Sequence, residues 1–194
     1  MNISTVGIVG AGTMGNGIAQ ACAVSGIRVV MVDIAQAAVD KGLATIGKSL
    51  DRLVAKDKIS EADKAAALGR IQGSTNYDDL KAAQLVIEAA TENHALKNKI
   101  LAQLDALLAP EVIIATNTSS ISITQLAAVT QRPERFVGMH FFNPVPMMAL
   151  VEIIRGLQTS DATHDAVKAL ALKLGKSPIT VKNAPGFVVN RILV

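Results

Sequence analysis

The 194-residue sequence predicts an α/β fold: a doubly wound, mostly parallel sheet with helices on both faces. Three observations carry this. Apolar runs of strand length alternate with longer segments of helical spacing. The strand-like runs are continuously apolar, as strands covered on both faces must be. A glycine-rich segment, Gly10-Ala-Gly12-Thr-Met-Gly15, falls between the first such run and the first helical pattern.

Residues 5–9 read as a strand rich in β-branched side chains, and 14–25 as the helix after the glycines. Residues 28–32 form the second strand. Residues 35–56 and 61–68 read as two helices, the second with Ser60 as N-cap, Asp63 in its first turn and Gly69 just past its end. A strand at 84–89, a helix at 94–108 stopped by Pro110 and a strand at 112–116 continue the alternation. Then 122–128 reads as a helix, 136–139 and 150–154 as extended, 161–174 as a helix and 179–181 as extended. The extended pieces from Phe136 onwards are candidates for antiparallel additions to the sheet. The last stretch, 187–194, is apolar and helical-looking.

Composition narrows the function classes. Charged residues make up 18% of the chain, mixed in sign, for a formal net charge of +3. That is too weak and dispersed for nucleic acid or an anionic membrane to be the expected partner. With no Trp, one Tyr and four Phe, platforms for base stacking are not expected either. The single cysteine, Cys22, leaves no CxxC metal site, so no metal is expected, and it fits a reducing cytoplasmic setting. The first 27 residues are uncharged, but a secretory leader needs a basic start, and the first cation is Arg28. Glycines interrupt that stretch, and Thr, Ser, Asn and Gln populate the others, so a membrane span is not expected.

The glycines have separate tasks. Gly10 permits a tight turn, Gly12 lets backbone approach a pyrophosphate, and Gly15 lets the helix pack close to the strand. With Thr13 and Met14 they open a helix whose N-terminal N–H groups suit phosphates. This is the fingerprint of a Rossmann-type dinucleotide site. Asp33 ends the second strand, 23 positions after Gly10. An acid there accepts hydrogen bonds from the ribose of NAD and repels the extra phosphate of NADP. No Arg or Lys follows in Ile34-Ala35-Gln36 to hold that phosphate, so NAD is the expected cofactor. FAD shares the fingerprint but needs more chain than this to enclose its ring system.

Of three histidines, His94 and His164 sit near the starts of polar helices and read as solvated. His140 ends an apolar strand and enters the rigid turn Phe141-Phe142-Asn143-Pro144-Val145-Pro146. Glu152 lies twelve residues on, within an apolar strand where a carboxylate needs a partner. If the Pro-rich connection reverses the chain, Glu152 meets His140 and fixes its tautomer, a pair suited to removing a hydroxyl proton. On the residues alone a buried structural histidine is the alternative. Asn117-Thr118-Ser119-Ser120 follows a strand at the carboxyl edge of the sheet, where ligands bind. These residues either hold a substrate oxygen or serve only the turn and the next helix.

The segments GAGTMG, Val86-Ile87-Glu88-Ala89-Ala90-Thr91-Glu92, NTSS, HFFNPVP from His140 and Pro185-Gly-Phe-Val-Val-Asn190-Arg resemble 3-hydroxyacyl-CoA dehydrogenases, most of all the bacterial 3-hydroxybutyryl-CoA dehydrogenases. The resemblance runs the length of the chain. It implies that His140 is the general base and Glu152 its orienting partner. It implies that Ser119 bonds the substrate's 3-oxygen and that Asn190 lies beside the thioester. Glu92 and Lys97 would contact the nicotinamide half of NAD, with Asn117 and Asn143 nearby. Ser49 and Lys56, about two turns apart on one helix, would contact CoA, Lys56 being otherwise a solvated lysine. The implied organisation is an NAD-binding domain over 1–186, with 187–194 starting the connection to a helical C-terminal domain that is absent here and forms the family's homodimer.

The expected reaction is interconversion of an (S)-3-hydroxyacyl-CoA, short-chain such as 3-hydroxybutyryl-CoA, and its 3-ketoacyl-CoA. A truncated NAD-binding module without turnover is the alternative. A Ser119–His140–Glu152 hydrolase is disfavoured, because no G-x-S-x-G elbow surrounds Ser119.

Overall fold

The computed structural model describes residues 1–184 together with Phe187. Strand β1 (Thr5–Val9) is buried along its whole length. The chain leaves it through Gly10, whose φ of 102° lies in the left-handed region that side chains avoid. Helix α1 (Thr13–Val24) follows. A Cβ on Gly15, in its first turn, would lie 1.8 Å from the carbonyl oxygen of Gly10. Turn and helix start are therefore fixed together by two positions that only glycine fills.

After β2 (Arg28–Val32) come α2 (Gln36–Ala55) and α3 (Glu61–Gly69). Helix α3 opens on a capping box: Ser60 Oγ accepts from the Asp63 amide at 3.0 Å, and Asp63 accepts from the Ser60 amide at 2.9 Å. The hydrogen bonds from Ser60 hold the Asp63 carboxyl below its ordinary range. Gly69 is the last residue of α3 rather than the one past it, with Arg70 as C-cap. The chain continues through β3 (Ile71–Ser74), a 3₁₀ turn (Tyr77–Ala82), β4 (Leu85–Glu88), α4 (His94–Leu107), β5 (Ile113–Thr116) and α5 (Ile123–Ala127). It ends in β6 (Phe136–Phe141), β7 (Leu150–Arg155), α6 (Asp161–Lys173) and β8 (Ser177–Lys182).

Among the described residues the strands form one sheet in the order β3-β2-β1-β4-β5-β6-β7-β8. Strands β1 to β6 are parallel; β7 pairs antiparallel with β6, and β8 runs parallel to β7. The reversed additions are thus β7 and β8, while β6 completes the parallel part. Strand order changes direction between β1 and β4, which opens a crevice at their carboxyl ends.

Side chains alternate between the faces. Val6, Ile8, Met31 and Ile87 pack with Ile18 of α1, Ile46 and Leu50 of α2 and Val167 of α6. Val9, Val30, Val86, Ile114 and Phe136 pack with Leu101 and Leu104 of α4 and Ile123 and Leu126 of α5. Two covered faces explain the continuously apolar strands. By the same alternation Glu88, Thr116, His140 and Glu152 belong to the α4–α5 face.

Two elements were not expected, and two expectations are corrected. Strand β3 and the 3₁₀ turn had no signal: Ile71-Gln-Gly-Ser carries one apolar side chain because it lies at the sheet edge. His164 is buried, not solvated. Its Nε2 lies 2.8 Å from Thr180 Oγ1 and its Nδ1 3.0 Å from Asp165, where α6 packs on β8. Phe187 has a φ of 50°, so no right-handed helix includes it; the rest of 187–194 lies outside the described residues. Buried Arg132 fastens the end of α4 by donating to Asp105 Oδ1 at 2.7 Å and to the carbonyls of Asp105, Leu108, Ala109 and Val112. Among the described residues, no helix is long and apolar enough to cross a membrane.

Candidate active site

A chain of clefts runs along the carboxyl ends of the strands. One of about 500 Å³ is lined by Gly10, Asp33, Ile34, Tyr77 and Leu96 among others. A second, about 370 Å³, shares Gly10 and Asp33 and adds Gly12, Thr13, Asn16, Lys41 and Thr45. A third, about 450 Å³, is lined by Met14, Glu92, Asn117, Ser119, His140, Phe141, Phe142 and Asn143. A fourth, about 240 Å³, joins Thr13 and Asn16 to Ser49, Arg52 and the turn from Asn143 to Met147.

The parallel ladder aligns the first half. Gly10 N–H donates to Val32 O and Ala89 N–H to Val9 O, both at 2.8 Å, so the ends of β1, β2 and β4 are level. Asp33 follows β2, and its Oδ2 accepts from the Ala11 amide at 2.8 Å, which aims the carboxylate across the glycine turn.

In the third cleft, the antiparallel pairing sets His140 directly opposite Glu152. His140 Nδ1 lies 2.8 Å from Glu152 Oε2; the carboxylate is fully buried and the ring 7% exposed. Phe142 and Phe187 pack against the imidazole, with ring centroids 4.4 and 6.0 Å away. Asn117, just past β5, accepts from the Phe141 amide at 2.8 Å and so ties the ends of β5 and β6 together.

Glu92 gathers the loop after β5. Its Oε1 accepts from Thr118 Oγ1 and the Ser119 amide at 2.7 Å, and from Ser119 Oγ at 2.9 Å. Burial pushes this carboxyl up, but those hydrogen bonds and the charge of Lys97 outweigh it and hold Glu92 below its ordinary range. Lys97, which the resemblance puts against the cofactor, is found one layer deeper, 1% exposed. It is ion-paired with Glu88, 3.4 Å from Thr116 Oγ1 and 3.9 Å from Glu92 Oε2. The reason is Glu88: a buried carboxylate at the end of β4 needs a cation, and it also accepts from Thr116 Oγ1 at 2.9 Å and the Ala90 amide at 3.0 Å.

The model for the NAD-binding domain of 3-hydroxyacyl-CoA dehydrogenases matches residues 5–184. The chain belongs to this family. Its cofactor is NAD, and the residues fit that group. A Cβ on Gly12 would meet nothing within 4 Å, so the space over the turn is open. Helix α1 has no side-chain cap and no acid in its first turn, which leaves its N-terminal dipole to an anion.

The chain is 50% identical over 192 residues to a 3-hydroxybutyryl-CoA dehydrogenase of Bradyrhizobium diazoefficiens, covering 99% of this chain and 66% of that protein. It is 48% identical to a fatty acid oxidation complex subunit alpha of Idiomarina loihiensis, covering 98% of this chain and 27% of that one. Its fold matches the crystal structure of (S)-3-hydroxybutyryl-CoA dehydrogenase PaaH1 from Ralstonia eutropha with a TM-score of 0.98 and 73% identity, over 99% of this chain and 68% of that one. The chain thus spans about two thirds of the length of the 3-hydroxybutyryl-CoA dehydrogenases it matches.

Within this family domain, the structure gathers His140, Glu92, Asn117, Ser119, Met14 and Asn143 in one cleft, with Glu152 behind His140. Gly10, Gly12, Thr13 and Asp33 line the glycine-turn cleft, which Gly15 supports from beneath. Ser49 lines the fourth cleft, but Lys56, exposed at the C-cap of α2, does not; Arg52, one turn after Ser49, supplies the cation there. Asn190 lies outside the described residues. Sequence reasoning did not single out Lys41 and Arg52, which line these clefts, or the buried contacts of Glu88. A carboxylate in an apolar strand, the pattern read at Glu152, was the signal available for Glu88, which ends β4.

Proposed function

We propose that this chain carries the cofactor-binding and proton-transfer half of an oxidoreductase that interconverts short-chain (S)-3-hydroxyacyl-CoA esters, such as 3-hydroxybutyryl-CoA, and 3-ketoacyl-CoA esters with NAD. The observation that carries this reading is the His140–Glu152 pair at the cleft lined by Ser119 and Glu92. The likeness to proteins named 3-hydroxybutyryl-CoA dehydrogenase supports the substrate class.

Glu152 accepts from Nδ1–H, the tautomer assigned from this hydrogen bond, and this makes Nε2 the proton acceptor. In the oxidising direction His140 Nε2 takes the proton of the substrate's 3-hydroxyl, and Glu152 stabilises the imidazolium that results. When bound, NAD supplies the acceptor for the hydride leaving C3. Ser119 holds the 3-oxygen by turning its single hydroxyl hydrogen from Glu92 to that oxygen, while its amide stays bonded to Glu92. In reduction the imidazolium returns the proton to that oxygen. The CoA moiety runs along the fourth cleft past Ser49 and Arg52, with Lys56 beyond it. Asn190 is assigned beside the thioester on resemblance alone.

The test is oxidation of NADH by the full chain with acetoacetyl-CoA, with NADPH in parallel. Turnover favouring NADH is the expected result. A folded chain that binds NADH but does not bind acetoacetyl-CoA or turn it over overturns the assignment of this reaction to the chain.

A further inference from the structure

Lys176 follows the end of α6 and is 8% exposed. Among the described residues no carboxylate pairs with it. Its ammonium instead donates to two backbone carbonyls, Val145 O at 2.5 Å and Met148 O at 2.8 Å. Burial pushes this ammonium below its ordinary value. An interior cation with only neutral acceptors costs desolvation, and an apolar side chain of equal length avoids that cost. Both carbonyls lie in one segment, the connection between His140 on β6 and Glu152 on β7.

That connection is held at several points. Val145 is buried against α1 at Gly17, where a Cβ would lie 2.9 Å from Val145 Cβ. The amides of Met147 and Met148 both donate to Pro144 O at 3.0 Å, closing a tight turn. The outer surface of the turn, where Met147 is 82% exposed, faces Ser49 and Arg52 across the fourth cleft. Gly17 supports the turn at the Val145 side chain, and Lys176 at the carbonyls of Val145 and Met148.

We propose that Lys176 is a positioning residue: it clamps the β6–β7 turn through the carbonyls of Val145 and Met148, and so fixes the wall along which an acyl-CoA lies. This rests on the acyl-CoA reading above. Lys176 touches neither substrate nor cofactor; it acts through the turn.

The experiment compares Lys176→Met, Lys176→Gln and Lys176→Arg with the unaltered full chain. Acetoacetyl-CoA and NADH affinities are measured by calorimetry, and backbone exchange at Met147 and Met148 by deuterium labelling. Lys176→Met is expected to weaken acetoacetyl-CoA about tenfold, leave NADH within about twofold and speed exchange at the two amides. Lys176→Arg restores both, since a guanidinium donates to two carbonyls. If Lys176→Met does not fold, Lys176→Gln, which keeps a donor for one carbonyl, gives the same comparison at smaller amplitude. Unchanged exchange, or equal losses for both ligands, overturns the clamp. If the unaltered chain does not bind acetoacetyl-CoA, the substrate reading fails, and the exchange measurement alone then decides the clamp.

Discussion

His140 and Glu152 face each other as directly paired residues of two antiparallel strands, with Nδ1 2.8 Å from Oε2. Because the ladder sets this contact, it exists before any ligand arrives. His140→Ala is expected to cost about 10²–10⁴-fold in turnover while leaving NADH affinity nearly intact. Glu152→Gln keeps the shape but removes the anion that stabilises the imidazolium. Steady-state kinetics beside NADH titration checks both, and unchanged turnover in His140→Ala removes it from the mechanism.

Asp33 takes the Ala11 amide with one oxygen and shares its cleft with Lys41. Asp33→Ala is expected to weaken NADH by about 1.5–3 kcal/mol, the scale of a hydrogen bond to a charged group. NADPH loses less, because the carboxylate that repels its phosphate is gone and Lys41 remains. Titrating both nucleotides reads the gap between them; an unchanged gap means that Asp33 does not read the ribose.

The Glu88–Lys97 pair is almost completely removed from water. Lys97→Met leaves Glu88 uncompensated and is expected to cost about 3–5 kcal/mol in urea unfolding. Lys97→Met combined with Glu88→Gln is expected to cost less than Lys97→Met alone. A double variant as unstable as the sum of its singles would show the two residues to be independent.

Glu92 is held below its ordinary value of 4.5. A folded-state value that is depressed contributes stability above 4.5, and that contribution is lost as the pH falls through the folded value. Glu92→Gln is therefore expected to flatten the acid limb of a plot of melting temperature against pH, with no change in slope near neutrality. The group is half-exposed, so the effect is small.

Cys22 is buried in α1, and burial pushes its thiol up to about 12. Iodoacetamide at pH 8 is expected to leave it unmodified in the native chain and to alkylate it in urea. Rapid native modification would mean that α1 opens from the sheet.

What the sequence made legible follows from what each residue does locally. The glycine turn, Asp33 and the capping box at Ser60 act through neighbours close in the chain or through strict backbone demands, and their patterns are visible. His140 and Glu152 were readable as a pair because a buried carboxylate implies a partner, and a Pro-rich reversal brings one. The depth of Lys97, the presence of Arg52 rather than Lys56 at the fourth cleft and the contacts of Lys176 depend on which way a helix or turn faces the sheet. Strand β3 escaped because an edge strand carries little apolar signal. Arg132 reaches the end of α4 across more than twenty residues of chain, a distance over which no periodicity speaks.

The β6–β7 reversal also sets how this region tolerates insertions and deletions. Alternation along a strand means that one residue inserted within β6 or β7 sends His140 or Glu152 to the opposite side of the sheet. One residue added to the intervening turn leaves both strands in register and is absorbed at little entropic cost. An added residue is therefore expected to be tolerated better in the turn beside Ser49 and Arg52 than in either strand, where it would part His140 from Glu152.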